Sequence, residues 1–243
     1  MGDYDDVIRF RSDVEVELIK SSAADSDVVM AARVSTLGER SAVLRGGLAS
    51  TEEYGLINFL MRERHGSPFE HAYFTFRVKA PIFVWREHMR HRIASYNEES
   101  GRYKVLEPEF YVPAPERKLQ QVGKTGAYEF VDGTADQKAY VQVHLRGACG
   151  RAYHAYREML SAGVAKEVAR MALPVSIYST AYVTMNARAL MNFLSLRKSA
   201  SDSRFPSYPQ REIEMVAERY EEVFAELMPL TYAAFLQNGR VAP

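Results

Sequence analysis

Fourteen consecutive residues, Arg90 to Tyr103, carry many of the polar groups that could act together on a ligand. Their sequence is RHRIASYNEESGRY, which contains three arginines, one histidine, two serines, one asparagine and two glutamates. Guanidinium groups bind phosphate or carboxylate through paired hydrogen bonds. Serine and asparagine are short donors for sugar hydroxyls or base edges. From residue types alone, a nucleotide site and a salt-bridged surface loop are equally good interpretations of this stretch.

A second polar group lies in the segment NARALMNFLSLR, residues 186–197. At about 100° per residue, a helix capped by Asn186 would place three polar side chains on one face, those of Arg188, Asn192 and Ser195. Apolar residues and Arg197 would occupy the opposite face. Arg197 by itself could be a cation at a helix C-terminus, which stabilises the helix dipole by about 0.3–1 kcal/mol.

Other kinds of catalytic site have weaker support in the sequence. His88 and His91 share a helix face, but no H-E-x-x-H motif accompanies them, so a metal site is not predicted and a metal hydrolase remains an alternative. Cys149 falls on an apolar helical stripe, which favours a core position over a nucleophilic one. The sequence also contains no G-x-S-x-G, G-x-G-x-x-G or P-loop motif.

The composition limits the class of protein. Lysine plus arginine and aspartate plus glutamate number 31 each, so no net charge attracts nucleic acid or a membrane surface. A nucleic-acid module that stacks bases on Tyr96, Tyr103 and Tyr111 remains an alternative. A single cysteine excludes an intrachain disulfide, and the first residues lack the apolar core of a signal peptide. We therefore expect a soluble cytoplasmic protein that does not enter the membrane.

The elements that would position these groups follow from periodicity and capping signals. Strands are predicted near residues 14–19, 72–79 and 177–185. Helices are predicted near 26–35, 50–65, 81–90, 135–163, 168–174, 186–197 and 213–227, and loops at 36–50 and 199–209. Ser26 is the expected cap of the first helix, and Ser50 forms a capping-box pair with Glu53 in the second. These patterns predict one helix-rich α+β domain over residues 1–243, with a mixed or antiparallel sheet.

The opening stretch resembles the signature of the flavin-dependent thymidylate synthases, R-H-R-x-x-S-x-N-x-x-S-x-R. Other segments resemble blocks of the same family, in the same order along the chain. They are AARVS ending at Ser35, HGSPFEH at 65–71, KAPIFV at 79–84, VAR ending at Arg170 and NARALMNFLSLR at 186–197. The resemblance covers most of the chain.

The resemblance implies an activity and an assembly. The family makes dTMP from dUMP, with 5,10-methylenetetrahydrofolate as carbon donor and NADPH as reductant through bound FAD. The implied enzyme is a homotetramer with active sites between subunits, and it binds neither nucleic acid nor membrane. The family uses no cysteine nucleophile, which agrees with the apolar setting expected for Cys149. The sequence does not distinguish NADPH from NADH.

Residue roles follow from the same resemblance. FAD would contact Ser67, Arg90, His91, Arg92 and Glu98, and also Asn186, Arg188 and Asn192 from a neighbouring subunit. The substrate dUMP would be held by Glu87, Arg90, Glu98, Glu99, Ser100, Gly101, Arg102, Arg170 and Arg197. Arg197 resembles the catalytic arginine that polarises the uracil ring, favouring ionisation at N3 and nucleophilicity at C5. His65 resembles the histidine near the flavin and folate.

One segment departs from the family pattern. After Arg197 the family commonly runs through a short acidic turn that contains a histidine. Here the sequence KSASDSRFPSYP intervenes, and Tyr208 stands near the expected position of that histidine. No role is carried over to the loop Ser199–Pro209 or to Tyr208.

Overall fold

The computed structural model describes residues 8–46, 50–124 and 127–243. These residues form eight strands, β1 to β8, at Arg9–Arg11, Glu15–Ser22, Tyr73–Pro81, Ser95–Glu98, Glu109–Tyr111, Gln120–Lys124, Ala127–Val131 and Tyr178–Asn186. They also form eight helices, α1 to α8, at Asp25–Leu37, Ser50–Arg62, Ile82–His88, Ala135–Ser161, Lys166–Ala169, Ala187–Arg197, Arg211–Leu227 and Pro229–Gln237. Short 3-10 segments lie at Gly38–Gly46, Ser67–Glu70 and Arg170–Ala172. The predicted helix-rich α+β class is confirmed, although the strands form three separate sheets.

These elements group into two compact units. The described residues up to Val14, together with Lys79–Glu87 and Glu98–Ala181, make the first unit. The described residues of Glu15–Val78, His88–Asn97 and Tyr182–Pro243 make the second unit. The prediction of one domain over residues 1–243 stays a prediction.

The first unit is built around the long helix α4. Thr134 caps this helix by accepting a hydrogen bond from the Gln137 amide at 3.2 Å, and the Gln137 side chain accepts one from the Thr134 amide at 2.9 Å. Gly163, with φ of +83°, follows the helix and allows the chain to turn, as the sequence predicted. The buried side of α4 packs into a core with Phe110, Ala169 and Ile177. β1 and β5 pair in parallel, and β6 and β7 form an antiparallel pair.

Cys149 occupies the core position that the sequence predicted. Its side chain is buried in the α4 cluster, with Sγ 3.4 Å from the hydroxyl of Ser176. Burial raises the pKa of the Cys149 thiol, so the thiol stays protonated at neutral pH.

We therefore expect Cys149→Ala to cost about 1–2 kcal/mol of unfolding free energy, as other small core truncations do. Turnover per folded molecule should stay unchanged because a buried, protonated thiol is a poor nucleophile. Urea unfolding and a turnover assay on the folded fraction measure the two quantities. A loss of several orders of magnitude in turnover with intact folding would instead assign the thiol to catalysis.

The second unit contains β2 and most of β3, β4 and β8, which pair in the order β2-β3-β8-β4. The hydroxyls of Thr75 and Thr184 lie 2.9 Å apart, in β3 and β8 respectively. Aromatic side chains fill the core of this unit, and Phe76 and Tyr220 have ring centroids 4.3 Å apart. Phe193 on α6 packs against Tyr220 on α7, at 5.4 Å. This aromatic core holds α6 and α7 together, and its residue Phe193 also contacts the ring of His91, a predicted site residue.

A buried carboxylate determines where α8 begins. Asp25 at the start of α1 accepts hydrogen bonds from the Leu230 amide at 2.9 Å, and from the amide and hydroxyl of Thr231 at 2.8 and 2.6 Å. The first amides of a helix have no partner within the helix and need such acceptors. No helix after residue 227 was predicted from the sequence, because Asp25, which caps α8, lies about 200 residues earlier in the chain.

Two predicted helix boundaries near the N-terminus were wrong. The helix α1 begins at Asp25, one residue before the predicted cap Ser26, and Asp27 accepts a hydrogen bond from the Ala24 amide at 2.9 Å. The predicted loop at 36–50 is helical through Leu37 and continues as 3-10 turns to Gly46. The rest of that loop, residues 47–49, and the side chain of Ser50 in the predicted capping box lie outside the described residues.

The helix predicted to start at Pro81 is shorter than expected. β3 extends through Pro81, and α3 covers only Ile82–His88. The amides of Ile82 and Phe83 donate to the carbonyls of Ile177 and Val175 at 2.9 and 3.0 Å, so strand-like pairing continues into the start of the helix. The helix predicted near 168–174 is one short turn at Lys166–Ala169 followed by 3-10 geometry. No described helix is long and apolar enough to cross a membrane.

Candidate active site

In the first unit, strand β8 fixes two glutamates of the signature stretch. The Ser179 hydroxyl donates to Oε1 of Glu98 at 2.6 Å, and the Ser179 carbonyl accepts from the Trp85 indole at 3.1 Å. The Glu99 amide donates to the Thr180 carbonyl, and the Thr180 amide donates to Glu99 Oε1, both at 2.9 Å. Ser179 and Thr180 therefore determine the direction of both carboxylates. This role was not predicted from the sequence, because a strand pattern does not identify cross-strand partners.

Gly101 allows an arginine to lie against the signature turn. A Cβ at Gly101 would be 2.9 Å from Leu106 Cδ1 and 3.3 Å from Arg170 Cδ. The absence of a side chain thus brings the stem of Arg170 close to the Gly101 backbone. Two predicted dUMP-binding residues, far apart in sequence, meet here.

The remaining predicted dUMP residues of the first unit surround this turn. Ser100 Oγ accepts from the Arg102 amide at 3.3 Å, which tightens the turn. The Arg102 guanidinium pairs with Glu167 at 2.9 Å, and both side chains are about half exposed, with relative accessibilities of 53% and 52%. Such a pair contributes only about 0–1 kcal/mol, so an anionic ligand could displace Glu167. Glu87 is half-buried at the end of α3.

In the second unit, the R-H-R segment begins where α3 ends. The His91 amide donates to the His88 carbonyl at 3.0 Å, and this turn leaves Arg90 and Arg92 exposed. Arg197 at the end of α6 donates from Nε to His91 Nε2 at 3.1 Å. Burial and the Arg197 charge lower the pKa of His91 to about 4. His91 is therefore neutral at pH 7, with its proton on Nδ1.

The segment at 65–71 meets α6 at Gly66. A Cβ at Gly66 would lie 2.5 Å from the Arg188 guanidinium carbon, so Arg188 rests directly on the Gly66 backbone. Arg188 also donates to the Pro243 carbonyl at 2.7 Å and pairs with Glu70 at 2.6 Å. Ser67, the next residue after Gly66, is exposed in the 3-10 turn. The structure thus places Ser67 and Arg188 side by side in one chain, whereas the resemblance assigns Arg188 to the FAD of a neighbouring subunit.

The helix α6 has the two faces that its periodicity predicted. Asn186 caps it by accepting from the Ala189 amide at 2.8 Å, and Leu190, Phe193 and Leu194 are fully buried. Asn192 is exposed and donates to the Arg188 carbonyl of its own helix at 3.2 Å.

Part of the polar face of α6 binds the C-terminal segment. The Ser195 hydroxyl donates to the Arg240 carbonyl at 2.6 Å, as Arg188 does to Pro243. These acceptors were not predicted from the sequence, because main-chain oxygens leave no mark in a residue pattern.

Comparison with known proteins determines the family. The model of the thymidylate synthase complementing protein family matches residues 17–230. A flavin-dependent thymidylate synthase of Tropheryma whipplei (strain TW08/27) is 59% identical over 234 residues, covering 96% of this chain and 97% of the relative. One of Streptomyces avermitilis is 60% identical over 237 residues, covering 96% and 95%. The chain belongs to the flavin-dependent thymidylate synthase family.

A solved structure supports the same fold across nearly the whole chain. The UMP/dUMP methylase PolB from Streptomyces cacaoi, bound to 5-Br dUMP, matches with a TM-score of 0.91 and 51% identity. The match covers 97% of this chain and all of that one. The same methylase bound to 5-Br UMP gives a TM-score of 0.89.

In this member of the flavin-dependent thymidylate synthase family, the geometry does not favour a metal hydrolase built on His88 and His91 or a nucleic-acid module built on tyrosines. His88 is fully buried, and both ring nitrogens lie within hydrogen-bond distance of tyrosine hydroxyls, which does not fit a metal ligand. The described residues contain no cluster of three His, Cys, Asp or Glu side chains that could hold a metal ion. Of the proposed base-stacking residues, Tyr111 is buried and the Tyr96 hydroxyl is bonded to backbone, so only Tyr103 is well exposed.

The buried histidine also predicts a pH dependence of stability in this family member. Burial, His91 and Arg197 lower the pKa of His88 to about 3, from its ordinary value near 6.5. Between pH 3 and pH 6.5 the unfolded chain binds a proton at His88 more readily than the folded chain does. The contribution of neutral His88 to the unfolding free energy is therefore complete above pH 6.5 and is lost as the pH falls toward 3. From about pH 7 to pH 5 we expect His88 alone to lower the unfolding free energy by about 2 kcal/mol.

Urea unfolding of the wild type and of His88→Gln at several pH values measures this contribution as the difference between their slopes. Carboxylates that titrate in both proteins cancel in the comparison. Parallel curves for the two proteins would show that His88 does not stay neutral in the folded state.

Proposed function

We propose that this protein is a thymidylate synthase that converts dUMP to dTMP. The methylene carbon comes from 5,10-methylenetetrahydrofolate and the reducing equivalents come from NADPH through bound FAD. The observation that carries the proposal is the close approach of signature residues distant in sequence, above all Arg197 to His91 at 3.1 Å. A cytoplasmic location is part of the proposal, since dUMP and reduced folates are metabolites of the cell interior.

The residues of the second unit have the chemistry needed to hold FAD. The cofactor presents a pyrophosphate and carbonyl groups, which guanidinium and hydroxyl donors recognise. Arg90 and Arg92 are exposed, and Arg188 lies beside Ser67 on the Gly66 backbone. Bound FAD would supply the two-electron redox chemistry, which amino-acid side chains do not provide. Glu98 of the first unit, together with His91, Asn186 and Asn192, completes the proposed FAD set.

The residues of the first unit would hold dUMP. Arg102 and Arg170 are exposed cations suited to a phosphate, and Glu98 and Glu99 are carboxylates held in fixed directions by β8. Ser100 and Gly101 supply the turn between them. Arg90 of the second unit and the half-buried Glu87 are the other proposed contacts. We propose that subunits of a homotetramer combine these residues with the FAD residues of a neighbouring subunit.

Arg197 is the proposed catalytic residue. A guanidinium beside the uracil ring stabilises negative charge as N3 ionises, which raises the nucleophilicity of C5. The neutral His91 accepts from Arg197 Nε and so fixes the plane of the guanidinium. The buried, protonated thiol of Cys149 supports a route without a cysteine nucleophile.

The function is tested on the purified protein. We expect flavin absorbance that is released on denaturation, and dTMP formed from dUMP only when methylenetetrahydrofolate and NADPH are both present. Replacing NADPH with NADH measures the preference for the reductant, and replacing dUMP with UMP measures the specificity for the sugar. A colourless protein that does not bind added FAD and forms no dTMP would contradict the proposal.

The proposed assembly makes a separate prediction. Because Asn186, Arg188 and Asn192 would reach FAD from a neighbouring subunit, dilution below the tetramer dissociation constant should release flavin. Analytical ultracentrifugation with absorbance detection follows assembly and flavin together. A monomer that keeps full FAD affinity would contradict the shared site, while leaving the catalytic proposal open to its own assay.

A further inference from the structure

A buried hydrogen-bonded chain lies beneath the contact between Arg197 and His91. His88 is fully buried at the C-terminal end of α3. Its Nε2 lies 3.0 Å from the hydroxyl of Tyr220 on α7, and its Nδ1 lies 3.2 Å from the hydroxyl of Tyr96 on β4. Neither the family signature nor the proposed ligand contacts include His88, Tyr96 or Tyr220.

The number of protons on each group fixes the direction of these hydrogen bonds. The Tyr96 hydroxyl lies 2.9 Å from the His91 carbonyl and 3.2 Å from the His88 carbonyl, and both can only accept, so Tyr96 donates to the backbone, with the shorter contact to His91. A hydroxyl has one proton, so His88 Nδ1 must donate to the Tyr96 oxygen. The neutral ring then accepts at Nε2, and Tyr220 is the donor. Hydrogen bonds therefore run from Tyr220 through His88 and Tyr96 to the backbone of His91.

The series of hydrogen bonds ends at His91, the residue that also accepts from Arg197. His91 receives the Tyr96 hydrogen bond on its carbonyl and the Arg197 hydrogen bond on its ring. Phe193 packs against both histidine rings, with centroids at 4.7 Å from His88 and 4.6 Å from His91. A shift of the His91 backbone would therefore move the acceptor of the Arg197 guanidinium.

Packing alone gives no reason for an imidazole at position 88. A polar ring inside an aromatic cluster costs free energy unless each nitrogen is hydrogen-bonded, and phenylalanine would fill similar space without that cost. Burial keeps the pKa of His88 near 3, so the ring is neutral and keeps one donor and one acceptor. This is the protonation state that the directed chain requires.

We propose that His88 is a positioning residue for the reaction, acting through Tyr96 on the His91 backbone and so on the orientation of Arg197. The role rests on the proposed thymidylate synthase activity. Tyr220 has the same positioning role, because its hydroxyl fixes which nitrogen of His88 carries the proton. No member of this chain needs to touch substrate or cofactor.

The first experiment compares His88→Phe, Tyr96→Phe and Tyr220→Phe at saturating FAD. We expect kcat for dTMP to fall by about 10- to 100-fold for His88→Phe and Tyr96→Phe, because displacing a catalytic group by about 1 Å can cost that much. The KM for dUMP should change less than kcat, since Arg197 acts mainly in the transition state. Tyr220→Phe should have a smaller effect in the same direction. The matched control is Tyr232→Phe, which removes a hydroxyl bonded to Glu221 at 3.1 Å elsewhere in the second unit.

Two further variants separate positioning from simple loss of stability. His88→Gln keeps an acceptor for Tyr220 and a donor for Tyr96, so it should recover most of the lost kcat. The double variant His88→Phe with Tyr96→Phe should be no slower than either single variant, because both interrupt one chain. If His88→Phe does not fold, Tyr96→Phe and the Gln variant still decide the question. Full kcat in folded Tyr96→Phe, or multiplicative losses in the double variant, would overturn the proposal.

The hydrogen-bonded chain can also be tested without any assay of activity. Nitrogen-15 NMR of the imidazole should show His88 protonated at Nδ1 in the wild type, and a weakened preference in Tyr220→Phe. A protein with this tautomer but no dTMP formation would contradict the proposed function alone. A wild-type enzyme that forms dTMP while His88 is protonated at Nε2 would contradict the positioning proposal alone.

Discussion

Arg197→Ala is expected to lower dTMP formation by about 10²–10³-fold, the usual loss when one preorganised donor to developing charge is removed. Flavin content should stay close to that of the wild type, because Arg197 is assigned to the uracil ring. His91 loses its partner at Nε2, but its carbonyl remains held by Tyr96 at 2.9 Å. The measurement is paired, with flavin content by absorbance and dTMP from dUMP on the same preparation.

Two controls define this result. Arg197→Lys keeps a positive charge but loses the planar guanidinium, so it should recover only part of the rate. Arg219→Ala removes an arginine that pairs with Glu222 on the exposed surface of α7, at 2.9 Å, and should change nothing. A near wild-type rate in Arg197→Ala would leave Arg197 as a cation that stabilises the end of α6. Parallel loss of flavin and dTMP would move it to cofactor binding.

Arg188→Ala is expected to weaken FAD binding by about 10- to 150-fold, which corresponds to about 1.5–3 kcal/mol for a charge-assisted hydrogen bond. Arg188 is an Nε donor to Pro243 and an Nη donor to Glu70, so its guanidinium is already held in one orientation. That orientation lowers the entropy lost on binding an anionic or carbonyl-rich cofactor. Flavin titration into apoprotein gives the dissociation constant directly.

Gly66→Ala tests the position of the Arg188 guanidinium without removing its charge. The added Cβ would stand 2.5 Å from Arg188 Cζ, so the flexible arginine must move away. We expect FAD binding to weaken in the same direction as in Arg188→Ala, but by less, because the charge remains. Arg219→Ala again serves as the control. Unchanged FAD affinity in Arg188→Ala, with lower thermal stability, would limit Arg188 to tying Glu70 and the C-terminal segment to α6.

The sequence by itself determined the parts of this protein that depend on local pattern. The period of α6 predicted its buried face and its cap at Asn186, both of which the structure shows. The apolar stripe of α4 placed Cys149 in the core. The spacing of the R-H-R signature led to the family that the comparisons show. These features are encoded within a few turns of helix or within one short motif.

The tertiary structure decided which distant groups meet. Asp25 caps α8 at residues 230 and 231, and Ser179 orients Glu98. The tyrosine hydroxyls on both sides of His88 come from β4 and α7, which no spacing in the sequence connects.

The physical reason is the nature of the partners. Periodicity reports how often a side chain faces the core, but it does not say which element covers it. Main-chain carbonyls such as those of His91 and Pro243 carry no residue identity, so a sequence cannot show that Tyr96 and Arg188 donate to them. Burial of a polar ring or a carboxylate is tolerated only where such partners converge. That convergence exists only after the chain has folded.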